Sequence, residues 1–291
     1  MENPALNGNT KRKPAREGKW GVWRVIMWAI MIAFAIIQIF PLVWLFDFSF
    51  ADNTEFFTSN LLIIPEEIQW GNYVKAFVDG HFLAYLKNSL LINALAVLLV
   101  LTFSVMSAYA LTRMRWKLSP IVRNIILLGM MIPIHATLIP NYMIYDFVGV
   151  KDTIWALLLP YVAFSLPQGL FLASSYMDSI PREIEEAAIV DGCGTFRLIW
   201  RIITPMMKSS LVTVATMTYL NNWNEFIMAS TYLSSSKWKT LPFAILEFTG
   251  QYRSNTAVQF AVMMLTALPA IVIYIALSKH ITKGATLGAV K

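Results

Sequence analysis

Apolar residues run along this chain in six long stretches, approximately 25–46, 88–111, 124–145, 153–176, 206–230 and 256–278. Each is about 20 residues, long enough to cross a hydrocarbon layer as a helix. The pattern predicts an all-α integral membrane protein with six transmembrane helices. Residues 1–24 are polar and without periodicity, and are expected to form a disordered tail; 25–291 then make one transmembrane domain. The first apolar stretch is too long for a cleaved signal peptide and lacks a small-residue cleavage site, so a retained anchor is expected.

Composition agrees with this reading. The 291 residues are 57% hydrophobic and 14% charged, where a soluble domain carries roughly 25% charged residues. The single Cys193 excludes an intrachain disulfide.

Charge gives the direction. Of the 23 Lys and Arg, 17 lie in four regions: the N-terminal tail, the connection after the second span, the central element 178–205 together with the adjoining Lys208, and the C-terminal tail. Cytoplasmic loops are the Lys/Arg-rich ones, so both termini and the central element are expected on the cytoplasmic side. Basic residues flanking apolar spans report membrane orientation, so no nucleic-acid partner is expected; the N-terminal cluster is instead suited to membrane lipid. The long connection 47–87 is acidic and aromatic, and with the loop 231–255 it falls on the external side.

Catalytic chemistry is missing from the pattern. The chain has no G-x-x-x-x-G-K-[ST] and no H-E-x-x-H, and three histidines with one cysteine leave no dense metal cluster. Away from the ends of the spans, His135 and Glu225 are the only His, Asp, Glu, Lys or Arg; Lys208 stands at the start of the fifth. A proton-driven carrier normally needs a relay of such groups, so energy is expected to come from a partner. His135, between Pro133 and Pro140, reads as a packed polar residue at a kink.

One polar element interrupts the apolar pattern: "IPREIEEAAIVDGCGTFRLIWRIITP", residues 180–205. Pro181 suits a first helical turn, and Glu183, Glu185 and Glu186 complement the positive end of the helix. At about 100° per residue, Ile184, Ala187, Ala188 and Asp191 share a small face. Gly192 and Gly194 are expected to end the helix in a sharp turn. A second helix follows, with Phe196, Ile199, Trp200 and Ile203 on one stripe, as in a helix lying at a membrane surface.

"EEAAIVDG", followed by an apolar stretch and "IITP", closely resembles the EAA loop of ABC-importer permeases. Glu186, Ala187, Ala188, Asp191, Gly192, Ile202 and Pro205 match its pattern. Cys193, Gly194 and Thr204 depart from it, standing where Ala, Ser and Leu are usual. The segments "NYVKAF" (72–77), "NSLLIN" (88–93), "SAYALTRMRWK" (107–117), "NNWNEF" (221–226) and "KHITKGATLGAVK" (279–291) resemble the maltose-type carbohydrate permeases, in particular the smaller six-span subunit.

The resemblance implies a non-catalytic permease subunit of an ATP-driven importer in the bacterial cytoplasmic (inner) membrane, moving a sugar or oligosaccharide by alternating access. It implies a second homologous permease, two cytoplasmic ATPase subunits and an external solute-binding protein as partners. ATP and Mg would sit on the ATPase subunits, with no cofactor bound by this chain. Glu186, Ala187, Ala188, Asp191 and Gly192, with Ile184, would form the coupling helix between spans four and five, and loop 231–255 would reach the binding protein. An importer for a non-sugar solute shares the same loop; a stand-alone secondary carrier is the more distant alternative.

The fifth span ends in "TYLNNWNEF". Thr218, Asn221, Asn222 and Glu225 fall at i, i+3, i+4 and i+7, and are expected to form one polar face with Trp223 and Asn224 beside it. Such groups are costly in hydrocarbon unless they pair or line a cavity, which makes this face a candidate wall of the translocation path. They could equally hold a neighbouring membrane helix.

Overall fold

The computed structural model describes residues 21–55, 65, 67–114, 116–250 and 255–289, with side chains as far as residue 276. Most of the expected N-terminal tail, part of the acidic loop, the segment 251–254 and the last two residues lie outside that range. Among the described residues every regular element is helical. The chain divides into two units, 1–44 and 45–291. Helix α1 (Val22–Ser49) begins in the first and ends in the second; it starts inside the stretch expected to be tail.

The larger unit is built around two long helices, α3 (Phe82–Thr112) and α6 (Trp155–Met177), the second and fourth expected spans. On α3, Ile92, Ala96, Val100, Ser104 and Ala108 recur every fourth residue and are all fully buried. That ridge is narrow because its middle residues are small, so α6 can approach closely. At Gly169 of α6 a Cβ would stand 2.1 Å from the Ser104 hydroxyl oxygen and 3.3 Å from a Val100 methyl. Only glycine allows that approach.

Among the described residues, most of the buried apolar side chains fall in two clusters along this pair. One gathers the starts of α3 and α6, represented by Tyr85, Ile92, Leu157 and Tyr161. The other gathers their ends, with Val105, Leu111, Leu170 and Met177. The two helices therefore run parallel. Helix α10 (Lys208–Trp223) begins beside the second cluster at Met207 and ends in the first at Trp223, so it runs the opposite way. Helix α12 (Thr256–Ala289) starts in the first cluster through Val258, Ala261 and Val262. The short α2 (Gly71–Val78) belongs to the same end.

Among the described residues, four helices are long and apolar enough to cross a membrane, or five if one bent pair counts as a span. The bent pair is the expected third span. Helix α4 (Ser119–Leu128) with its 3-10 turn to Met131 meets the segment Ile134–Phe147, which includes α5 (Leu138–Phe147), at 95°. Pro133 explains the break: it has no N–H to donate and pushes Ile132 out of the helical region, to ψ 116°. His135 sits at this break but is exposed rather than packed.

The expected fifth span is also not one helix. It stops at Trp223, is interrupted at residues 224–226, and resumes as the short α11 (Ile227–Tyr232).

Candidate functional site

The central element folds as a helical hairpin at the end of the unit where the second cluster lies. Helix α7 spans Arg182–Val190, with Pro181 just ahead of it and Glu183 and Glu185 in its first turn. It closes through backbone bonds from Gly192 to the Ile189 carbonyl and from Cys193 to the Ala188 carbonyl, 2.9 Å each. Gly192 has φ +79°, the left-handed turn that an Ala at this position would resist. Gly194 has an ordinary extended backbone and opens the next helix, and a Cβ there would meet nothing within 4 Å. The expectation that both glycines end the helix holds for Gly192 only. Cys193 packs against the second cluster as a small apolar side chain.

The return runs through α8 (Thr195–Leu198), a π-helical turn Ile199–Ile203 and α9 (Thr204–Met206). The Thr204 hydroxyl donates to the Ile199 carbonyl at 2.8 Å within that π turn. Ile199 and Ile203 of the expected stripe are buried, Trp200 is half-buried, and Phe196 is 70% exposed. Phe196 therefore leaves the stripe and stands on the surface.

The face expected on α7 divides. Ala188 is buried and Ile184 half-buried, both against the second cluster. Ala187 and Asp191 are exposed together with Glu186 and Gly192. The reason is geometric: Ile184 and Ala188 lie one turn apart on the side that holds the helix to its own chain, and Ala187 is turned about 100° from Ala188. Ile189 and Val190 are 60% and 87% exposed. Sequence reasoning passed over these two. A run of two large apolar residues just before the helix-ending glycine was the available signal, because the helix has no inward side left for both.

At the other end of the unit, short polar side chains anchor the connections. Asn72 of "NYVKAF" donates to the carbonyls of Ser49 and Ala51, at 3.1 and 2.9 Å. Asn88 of "NSLLIN" donates to the carbonyls of Lys237 and Lys239, at 2.9 and 3.0 Å, and the Ser89 hydroxyl accepts from the Leu241 N–H at 2.7 Å. Asp152 adopts a left-handed backbone, and one carboxylate oxygen accepts from the N–H groups of Ser234 and Ser235 at 3.0 Å each. Burial pushes its carboxyl up, but those donors outweigh it and leave it below the ordinary carboxylate range. Residues 234–237 are thereby held at both flanks while their side chains stay exposed.

The polar end of α10 is not one face. Thr218, Asn222 and Trp223 are buried, Glu225 is half-buried, and Asn221 and Asn224 are exposed. Trp223 stacks on Tyr219 with centroids 5.2 Å apart and donates its indole N–H to the Thr266 carbonyl on α12 at 3.2 Å. Glu225 lies across the interruption. Its carboxylate accepts from the N–H of Met228 at 2.6 Å, the N–H of Ala229 at 3.2 Å and the Tyr161 hydroxyl at 2.9 Å. It thus caps α11 and ties it to α6. Of the residues expected to line a path, Asn221 and Asn224 are exposed, the Asn224 amide donating to the Leu220 carbonyl at 2.9 Å.

Known proteins fit this arrangement. Residues 100–286 match the family model described as the binding-protein-dependent transport system inner membrane component. A putative ABC transporter permease protein of Caldicellulosiruptor sp. (strain Rt8B.4) is 37% identical over 269 residues, covering 92% of this chain and 96% of the relative. The trehalose/maltose transport system permease protein of Thermococcus litoralis is 30% identical over 272 residues, covering 92% and 97%. Among solved structures, a bacterial ABC transporter involved in the import of the polysaccharide alginate shares the fold, with a TM-score of 0.79 at 21% identity over 92% of this chain and 99% of that one. With the family model matched over residues 100–286 and full-length relatives of 30% identity and more, the chain belongs to the family of inner-membrane components of binding-protein-dependent transport systems.

Proposed function

We propose that the chain is one of two permease subunits of an ATP-driven importer, and that the solute is a sugar or oligosaccharide. The observation that carries the solute class is the set of full-length relatives. They include permeases named for trehalose/maltose, starch degradation products, diacetylchitobiose and arabinooligosaccharides. In this reading six spans cross the membrane with both termini cytoplasmic, the broken third and fifth segments each counting as one. The distribution of Lys and Arg supports that orientation.

The exposed tip of α7, made of Glu186, Ala187, Ile189, Val190, Asp191 and Gly192, docks on a cytoplasmic ATPase subunit. ATP and Mg are held by the ATPase pair, and this chain binds no cofactor. The anchored external segment 234–237 meets the binding protein. Asn221 and Asn224 face the second permease or the solute path, where amides suit sugar hydroxyls.

The test is reconstitution in proteoliposomes with the neighbouring ATPase, second permease and binding protein. ATP-dependent uptake of linear oligosaccharides is expected, and it should fail in Glu186→Lys and Gly192→Pro while both variants still insert in the membrane. Normal coupled uptake by both variants would remove α7 from the docking role.

A further inference from the structure

The docking tip must be joined to the rest of the chain, and the apolar joint is thin. Helix α7 contributes only Ala188 and the half-buried Ile184 to the second cluster. Two apolar contacts on a nine-residue helix are a weak hold. Between them lies Glu185, a carboxylate on the inward face, 7% exposed.

Its partner is Arg113, just past the end of α3, with Nε 3.0 Å from the Glu185 Oε1; the two side chains are 6% and 10% exposed. The same guanidinium donates through Nη2 to the Ile180 carbonyl at 2.6 Å and to the Met177 carbonyl at the end of α6. The Tyr109 hydroxyl, one turn back on α3, lies beside the Glu185 carboxylate. One buried cation thus joins the end of α3 that carries it, the last carbonyl of α6 with the connection after it, and the first turn of α7. It also sits where a helix C-terminus favours positive charge.

We infer that Arg113 and Glu185 are positioning residues that lock the docking helix to the α3–α6 pair, so that displacement at the tip moves the long helices rather than sliding α7 over them. The inference rests on the docking role proposed above. Buried ion pairs add little net stability compared with apolar residues of similar size, because desolvation offsets the attraction. What they supply is a fixed geometry. The planar guanidinium donates to two carbonyls while it holds its charge 3.0 Å from the carboxylate, an ion pair without a directed hydrogen bond, and lysine, a single point charge, cannot reproduce that arrangement. Apolar side chains at both positions would fill the volume and leave the register of α7 free to slip.

That contrast defines the test. Arg113→Met, Glu185→Gln and the apolar pair Arg113→Met/Glu185→Leu are assembled with the ATPase subunits and second permease in proteoliposomes. Thermal unfolding, basal MgATP hydrolysis and the rise in hydrolysis on adding the cognate external binding protein are measured. Each single variant should unfold earlier than the wild type, because it leaves a buried partner unmatched. The apolar pair should recover the thermal stability and keep basal hydrolysis, yet its response to the binding protein should fall about five-fold or more. An apolar pair that recovers both stability and response would reduce the ion pair to packing and overturn the lock. A wild-type chain that holds no ATPase would instead overturn the docking role beneath it.

Discussion

Replacing Glu225 separates two roles that the sequence leaves together, lining a solute path and closing a broken helix. In Glu225→Ala the N–H groups of Met228 and Ala229 and the hydroxyl of Tyr161 lose their common acceptor. Tyr161 is 2% exposed, so water does not readily replace the lost partner. Hydrogen bonds to a charged acceptor contribute about 1.5–3 kcal/mol each, and since the three share one half-buried carboxylate the expected loss is about 2–4 kcal/mol in total. That corresponds to a fall in unfolding temperature of roughly 5–10 °C for a unit of this size. Glu225→Gln keeps one acceptor oxygen and should lose less than half as much. Thermal unfolding of the purified chain in one detergent, followed by tryptophan fluorescence, reads both variants. An Ala variant that unfolds within about 1 °C of the wild type would be too stable for a cap of this strength. If Glu225→Gln were in addition to abolish uptake without moving the unfolding temperature, the carboxylate would belong to the path.

Three further perturbations follow from the same geometry. Asp152→Ala removes the acceptor shared by Ser234 and Ser235, at about 1–2 kcal/mol, with Asp152→Asn milder because asparagine tolerates the left-handed backbone. Since that carboxyl lies below its ordinary range when folded, its stabilisation is full above the unfolded value of about 3.9 and fades as pH falls through the folded one; unfolding temperatures from pH 6 to pH 3 should converge for wild type and Asn variant at the acid end. Gly169→Leu should force α3 and α6 apart and cost about 3 kcal/mol or more, read as loss of folded protein on size-exclusion chromatography. Gly194→Ser should instead be tolerated or raise stability by a few tenths of a kcal/mol, since an extended residue that opens a helix is where serine caps and its Cβ meets nothing; a clear fall in unfolding temperature would contradict that placement.

Much of the fold was legible because apolar length is a long-range signal that survives local detail. The spans around α3 and α6 stand where hydropathy put them, α3 beginning six residues earlier at Phe82. Breaks were harder to read. Pro133 was visible, yet nothing in a one-dimensional pattern states that two apolar helices meet there at 95°. At the end of α10 the fault lay in assuming a continuous helix. The i, i+3, i+4, i+7 argument places Glu225 on the face of Thr218 only if the helix continues past Trp223, and it does not. On α7 the periodicity was sound, but a wheel cannot say which face the chain keeps for itself. Arg113 settles that by drawing Glu185 inward, and its contribution comes from 72 residues away in sequence. Asn72, Asn88 and Asp152 are anchors for the same kind of reason: their partners are backbone groups of distant connections.

The opened backbone between Gly129 and Thr137 fixes how this surface must be surrounded. Two 3-10 turns and an extended Ile132–Pro133 pair replace the regular ladder there, and most of the side chains around them are exposed. Hydrocarbon offers no donors or acceptors, so peptide groups left without helical partners cannot stand against lipid tails. Whatever adjoins that bend is therefore water or polypeptide, and the acyl chains are left to the flanks where the helical ladder is whole.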